Sequence, residues 1–137
     1  MNRTNISTNG PWEATNGYSR CVKLEHRNEN GGHTEFVFAG TTAMNPDGSI
    51  EHEDDAGGQT RTILQRVGEV LAQHGAGLEH VISTRLYITD AAHAEAVGRA
   101  HGEVFRDIRP AATLLVIAGL VDPRMLVEIE VRAVAPN

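Results

Sequence analysis

Apolar positions recur along this chain with two different periods. The run LVEIEVRAV near the C-terminus puts Val127, Ile129, Val131 and Ala133 on one side and Glu128, Glu130 and Arg132 on the other. A period of two predicts a strand with one buried face. Residues 18–27 (YSRCVKLEHR) and 33–40 (HTEFVFAG) read as two further strands, joined through the turn cluster NENGG and paired as a hairpin. Residues 79–90 predict another, with Ile82, Thr84, Leu86 and Ile88 on one face and Ser83, Arg85, Tyr87 and Thr89 on the other. A last strand is expected after Pro110, with VDP as a turn before the final one.

Between residues 55 and 74 the period changes. Ile63, Leu64, Val67, Val70 and Leu71 share one helical face, and Gly75 or Gly77 is a natural stop. Thr89 or Asp90 is placed to cap a second helix reaching about residue 106, with Ala94, Val97, His101, Val104 and Phe105 as its buried stripe. The order β-β-α-β-α-β-β predicts an α+β domain over residues 18–137, a mixed sheet with both helices on one face. Residues 1–17 are polar and rich in Asn, Thr, Ser and Gly, and are expected to form a mobile arm or loop, with Trp12 packing somewhere. The helices should cover Val127, Ile129 and Val131. Arg85, Tyr87, Glu128, Glu130 and Arg132 are left without cover from their own chain. A half-apolar, half-charged open face implies burial by another copy, with its charges paired.

Composition narrows the chemistry. A chain of 137 residues, 40% hydrophobic and 22% charged, fits one compact domain. No apolar run approaches the ~20 residues of a membrane-spanning helix, and the N-terminus has no apolar signal core. A cytoplasmic home is therefore expected. The formal charge of −6, without a Lys/Arg stripe, argues against nucleic acid as a partner. Cys21 is the single cysteine, expected as a buried, inert thiol. The seven histidines form no HxH or HExxH pattern, so no metal site is expected; His26 and His33 flank the hairpin turn. His101 falls on the apolar stripe and is expected as a hydrogen-bonded core residue.

Four segments, in order, resemble the reactive-intermediate deaminase (Rid, YjgF-like) family. GYSRCV resembles its opening Tyr-Ser strand, and FVFAGTTAMNPDGS its turn and following loop, here one residue shorter and with Ala39 in place of a serine. The stretch from Gln59 to Asp90 resembles its first helix and next strand, and RPAATLLVIAGLVDPRMLVEIEVRAV its C-terminal signature. The resemblance implies a chorismate-mutase-like fold, a homotrimer with a central barrel, and three inter-subunit clefts for a small-molecule ligand. It also implies cofactor-free hydrolysis of enamines and imines to a 2-oxo acid and ammonia. In that chemistry a glutamate and backbone groups position water, an arginine grips the substrate carboxylate, and a tyrosine lines the cleft.

Carried over, the glutamate is Glu128, the tyrosine Tyr18, and the backbone turn Ala39, Gly40 and Thr41. The arginine position is Ala112, and two other polar cleft positions fall on Gly98 and Leu114. A charge-assisted contact of about 1.5–3 kcal/mol is thereby absent. Arg85 is the candidate replacement; Arg109 lies before the proline, outside the strand. Two functions follow: a hydrolase weak on 2-imino acids, or a non-catalytic trimer binding a small ligand in the same clefts. Ribonuclease chemistry lacks a His pair or Lys cluster to carry it.

Overall fold

A computed structural model describes all 137 residues. Six strands form one sheet in the order β1-β2-β3-β6-β4-β5: β1 Asn2–Ile6, β2 Cys21–Asn28, β3 Gly31–Phe38, β4 Val81–Ile88, β5 Ala111–Val116 and β6 Val127–Pro136. All neighbours run antiparallel except β4 and β5. The two long helices are α2 Ala56–Gln73 and α3 Ala94–Phe105; the short α1 spans Glu13–Asn16. This is the α+β mixed sheet read from the sequence.

Alternation on β6 produces what it predicts. Val127, Ile129, Val131 and Ala133 join Ile63, Leu64, Val67 and Leu71 of α2 and Val97 and Phe105 of α3 in one core. Asp55 caps α2, its carboxylate accepting from the Gly58 N–H at 2.9 Å. Fully buried Gln59 ties α2 to the start of β6: its amide donates to the Arg124 carbonyl at 2.9 Å and accepts from the Leu126 N–H at 2.9 Å. His101 lies on the inner stripe of α3, its Nε2 2.8 Å from the Thr84 hydroxyl. Burial holds its imidazole below the usual histidine range. Cys21 is fully buried and its thiol is pushed up to about 12, mainly by desolvation.

The structure departs from the sequence expectation at two places. Residues 1–17, expected as a mobile arm, carry an edge strand: β1 pairs with β2 from Asn2↔Glu25 to Ile6↔Cys21. The segment is then pinned by Glu13, only 4% exposed, whose carboxylate accepts from the Gly10 and Arg20 N–H groups at 2.6 and 2.9 Å. On β4, Ile82 was expected inside with Thr84, yet Val81 is buried and Ile82 is 46% exposed. The register against β6 shifts between Val81 and Ser83. An extra residue in one strand turns the side chains before it to the opposite face.

Candidate functional site

The chain beyond β3 creates a cavity. Thr41 and Ile129 exchange two backbone hydrogen bonds of 3.0 Å, forming a bridge beyond the regular β3–β6 pairing that reaches Val37↔Arg132. Between these points the β3 side carries one residue more than the β6 side, so the chain bulges around Ala39 and Gly40. Gly40 thereby lies directly on the Glu128 carboxylate; a methyl group at position 40 would overlap it. Glycine is required here by proximity rather than by a positive φ.

A cavity of about 560 Å³ opens beside this contact. Tyr18, Arg20, Gly40, Thr41 and Glu128 line one wall, and Met44, Arg66 and Val70 another. Pro11 and Trp12, held by the N-terminal segment, form part of the rim. The cavity thus gathers Tyr18, Gly40, Thr41 and Glu128 from among the site residues read from the sequence.

Arg20 is the group that sequence reasoning passed over. Its Nη1 donates to the Gly40 carbonyl at 2.7 Å and the Thr41 hydroxyl at 3.1 Å, while its guanidinium lies 5.5 Å from the Tyr18 ring centre. A signal was available: Tyr18 and Arg20 are two residues apart in an alternating run, so they share the face opposite buried Cys21. Burial raises the Glu128 carboxyl above the usual carboxylate range. The Arg20 charge opposes that rise and the Glu130 charge adds to it. Arg66 is committed to the loop, donating to the Met44 carbonyl at 2.7 Å and the Asn45 side chain at 2.5 Å.

Arg85, the candidate for the replacement charge, does not line the cavity formed by this chain. It sits opposite Glu130 in the β4–β6 register, beside the Tyr87 hydroxyl. Tyr87 donates a short hydrogen bond to Glu130. The cross-strand register sets this outcome, because Arg85 is paired one step further from the cavity than Glu128, whose opposite number is Tyr87. Ala112 lies on exposed β5, paired beside Thr84, also away from the cavity. The Glu128 neighbourhood is chemically a half-buried carboxylate and a guanidinium facing a half-apolar space, able to hold a small polar molecule and exchange a proton with it.

Residues 9–135 match the family described as endoribonuclease L-PSP. The chain belongs to this family, also called YjgF/YER057c/UK114. Its sequence is 38% identical to the protein SCO2049 of Streptomyces coelicolor over 128 residues, 93% of this chain and 89% of that protein. It is also 31% identical to the 3-aminoacrylate deaminase RutC of Acinetobacter baylyi over 91 residues, covering 66% of this chain and 71% of that enzyme. Among solved structures, the YjgF-family member Rv2704 from Mycobacterium tuberculosis superposes with a TM-score of 0.80 at 36% identity, covering 96% of this chain and 98% of its own. The YjgF-like fold expected from the four resembling segments is therefore the fold this chain has.

Proposed function

We propose that this protein is a cofactor-independent hydrolase of a small imine or enamine, working in clefts that a homotrimer completes. The observation that carries the reading is the contact of Glu128 with Gly40 beside Arg20. Desolvation biases the Glu128 carboxylate toward taking a proton, the property needed of a group that orients and deprotonates water. Arg20 is held by a carbonyl and a hydroxyl, so its charge is fixed where negative charge would develop on substrate or water. Tyr18 and the 40–41 turn shape the space around the reacting carbon. A deaminase among the relatives, acting on 3-aminoacrylate, makes this chemical class the natural one to test. The open face of the sheet supports self-association: all six residues of β5 are exposed, including Leu114, Leu115 and Val116.

Alanine at position 112 leaves the arginine of the family chemistry unprovided, so turnover of 2-imino acids is expected to be weak. The same observation favours a second reading, a ligand-binding trimer without catalysis. One experiment separates the two. Imines are generated in situ by an amino-acid oxidase, and their loss is followed with the protein and with Glu128→Ala. Turnover of an uncharged or weakly acidic imine that disappears in the variant supports the hydrolase. Saturable ligand binding by thermal shift, with no turnover of any imine, supports the binding protein. Fast Glu128-dependent turnover of 2-iminopropanoate would show that the missing arginine is dispensable.

A further inference from the structure

At the other end of the same open sheet face, the β2–β3 hairpin brings together three metal-ligating side chains. His26 and His33 are directly opposite in the register, and Glu35 follows two residues after His33 on the same face. Their rings stack with centroids 4.6 Å apart and planes 16° from parallel. Nε2 of His26 lies 3.5 Å and Nε2 of His33 3.4 Å from the same oxygen, Oε1 of Glu35. All three donor atoms fall within 4.8 Å of one another. Around a tetrahedral ion with bonds of about 2.0–2.2 Å, neighbouring ligand atoms stand ~3.3 Å apart. Two of the three separations already have that length.

The hydrogen bonding within the chain leaves this cluster unfinished. Nε2 of His26 is buried and makes no hydrogen bond within the chain. Such an atom costs free energy unless something meets it. The second Glu35 oxygen lies 3.5 Å from the Arg132 guanidinium, which orients the carboxylate and leaves Oε1 toward the histidines. Both imidazoles must turn for their lone pairs to converge, and the ring torsion of histidine is broad.

We propose that His26, His33 and Glu35 form a binding site for one divalent transition-metal ion of the zinc type. Two imidazole nitrogens and one carboxylate oxygen suit zinc and its neighbours rather than magnesium or calcium, which favour all-oxygen sets. Three ligands from one chain leave a further position for water or for a group from another copy.

The test uses the full-length, untagged protein after chelator dialysis, titrated with Zn²⁺ by calorimetry and in competition with a chromophoric chelator. One ion should bind per chain. His26→Ala and Glu35→Gln should each weaken binding by at least about tenfold, while His52→Gln, at an exposed His–Asp pair elsewhere, should change nothing. Millimolar Mg²⁺ should not displace the ion. Co²⁺ should show visible absorption bands that His33→Gln removes, a readout that stands even if another variant fails to fold. Binding below one ion per chain, binding that survives His26→Ala, or an equal loss in His52→Gln would each overturn the proposal.

Discussion

The two faces of β6 are one residue apart in sequence and differ in what holds them. Val127, Ile129, Val131 and Ala133 look toward α2 and α3 and are at most 1% exposed. Their requirement is generic: apolar groups of suitable volume, packed without voids. Glu128, Glu130 and Arg132 look the other way, and each is tied to a particular partner. Glu128 lies on Gly40 near Arg20, Glu130 accepts from Tyr87, and Arg132 reaches Glu35. One face is fixed by burial and the other by register, and the proposed chemistry lies on the second.

The sharpest way to break that comparison is within the open face itself. Glu128→Gln keeps the shape and removes the proposed base, so any imine turnover that carries the proposed function should fall about 10²–10⁴-fold. Glu130→Gln, two residues on, should cost less than about tenfold. Ammonia release at saturating substrate measures both, and equal losses would erase the distinction between them. Stability should move the other way. The folded-state pKa of Glu128 is raised, so the wild type loses stability as pH rises through that value, whereas glutamine has nothing to lose. Glu128→Gln should therefore equal the wild type in strong acid and exceed it at neutral pH in urea unfolding.

The second break compares the faces directly. Ile129→Ala removes a fully buried side chain and should cost about 2–5 kcal/mol in urea unfolding. Arg132→Ala, on the other face and largely exposed, should stay within about 0.5 kcal/mol of the wild type. A loss for Arg132→Ala approaching that of Ile129→Ala would mean that the open face is structural rather than specific.

These differences explain how much could be read in advance. β6 and α2 were legible because burial imposes a period, and the period survives in one chain without alignment. β1 was not: in NRTNI only Ile6 is buried, and backbone pairing to β2, which leaves no mark on side-chain pattern, holds the strand. The inward turn of Val81 in place of Ile82 depends on a bulge, and a bulge is one unpaired residue that no periodicity marks. At the site, Glu128, Tyr18 and Gly40 came from resemblance. Arg20 escaped because its partners are the carbonyl of Gly40 and the hydroxyl of Thr41, about twenty positions downstream. His26, His33 and Glu35 form no motif along the chain, since the hairpin register alone brings them together.

A smaller effect would sharpen the role of Arg20. Its charge holds the Glu128 carboxyl below the level that burial alone would set. Arg20→Met should move the acid limb of the pH–rate profile to higher pH. It should also lower turnover by roughly 10–150-fold, the equivalent of about 1.5–3 kcal/mol for a contact to a charged group. A drop in turnover with an unmoved acid limb would assign Arg20 to the turn at Gly40 and not to the electrostatics of Glu128.

The covered face also carries polar groups, and the pair Thr84 and His101 gives the smallest effect. Thr84 is 4% exposed and faces His101 at 2.8 Å, with Phe105 packed against the imidazole at 4.7 Å between ring centres. Desolvation depresses the histidine pKa, so folding disfavours the charged ring. Stability from this group is complete above the unfolded value of about 6.5 and is lost as pH falls through the folded value. His101→Gln retains a hydrogen-bonding group toward Thr84 and does not titrate. Unfolding compared at a series of pH values should therefore show a constant difference between wild type and variant above about pH 6.5, then a selective loss in the wild type as the solution is acidified. A difference that stays flat into the acid range would mean that the folded ring takes up its proton as readily as the unfolded one, so that burial does not penalise the charged form. The covered face would then be as generic at His101 as it is at Ile129.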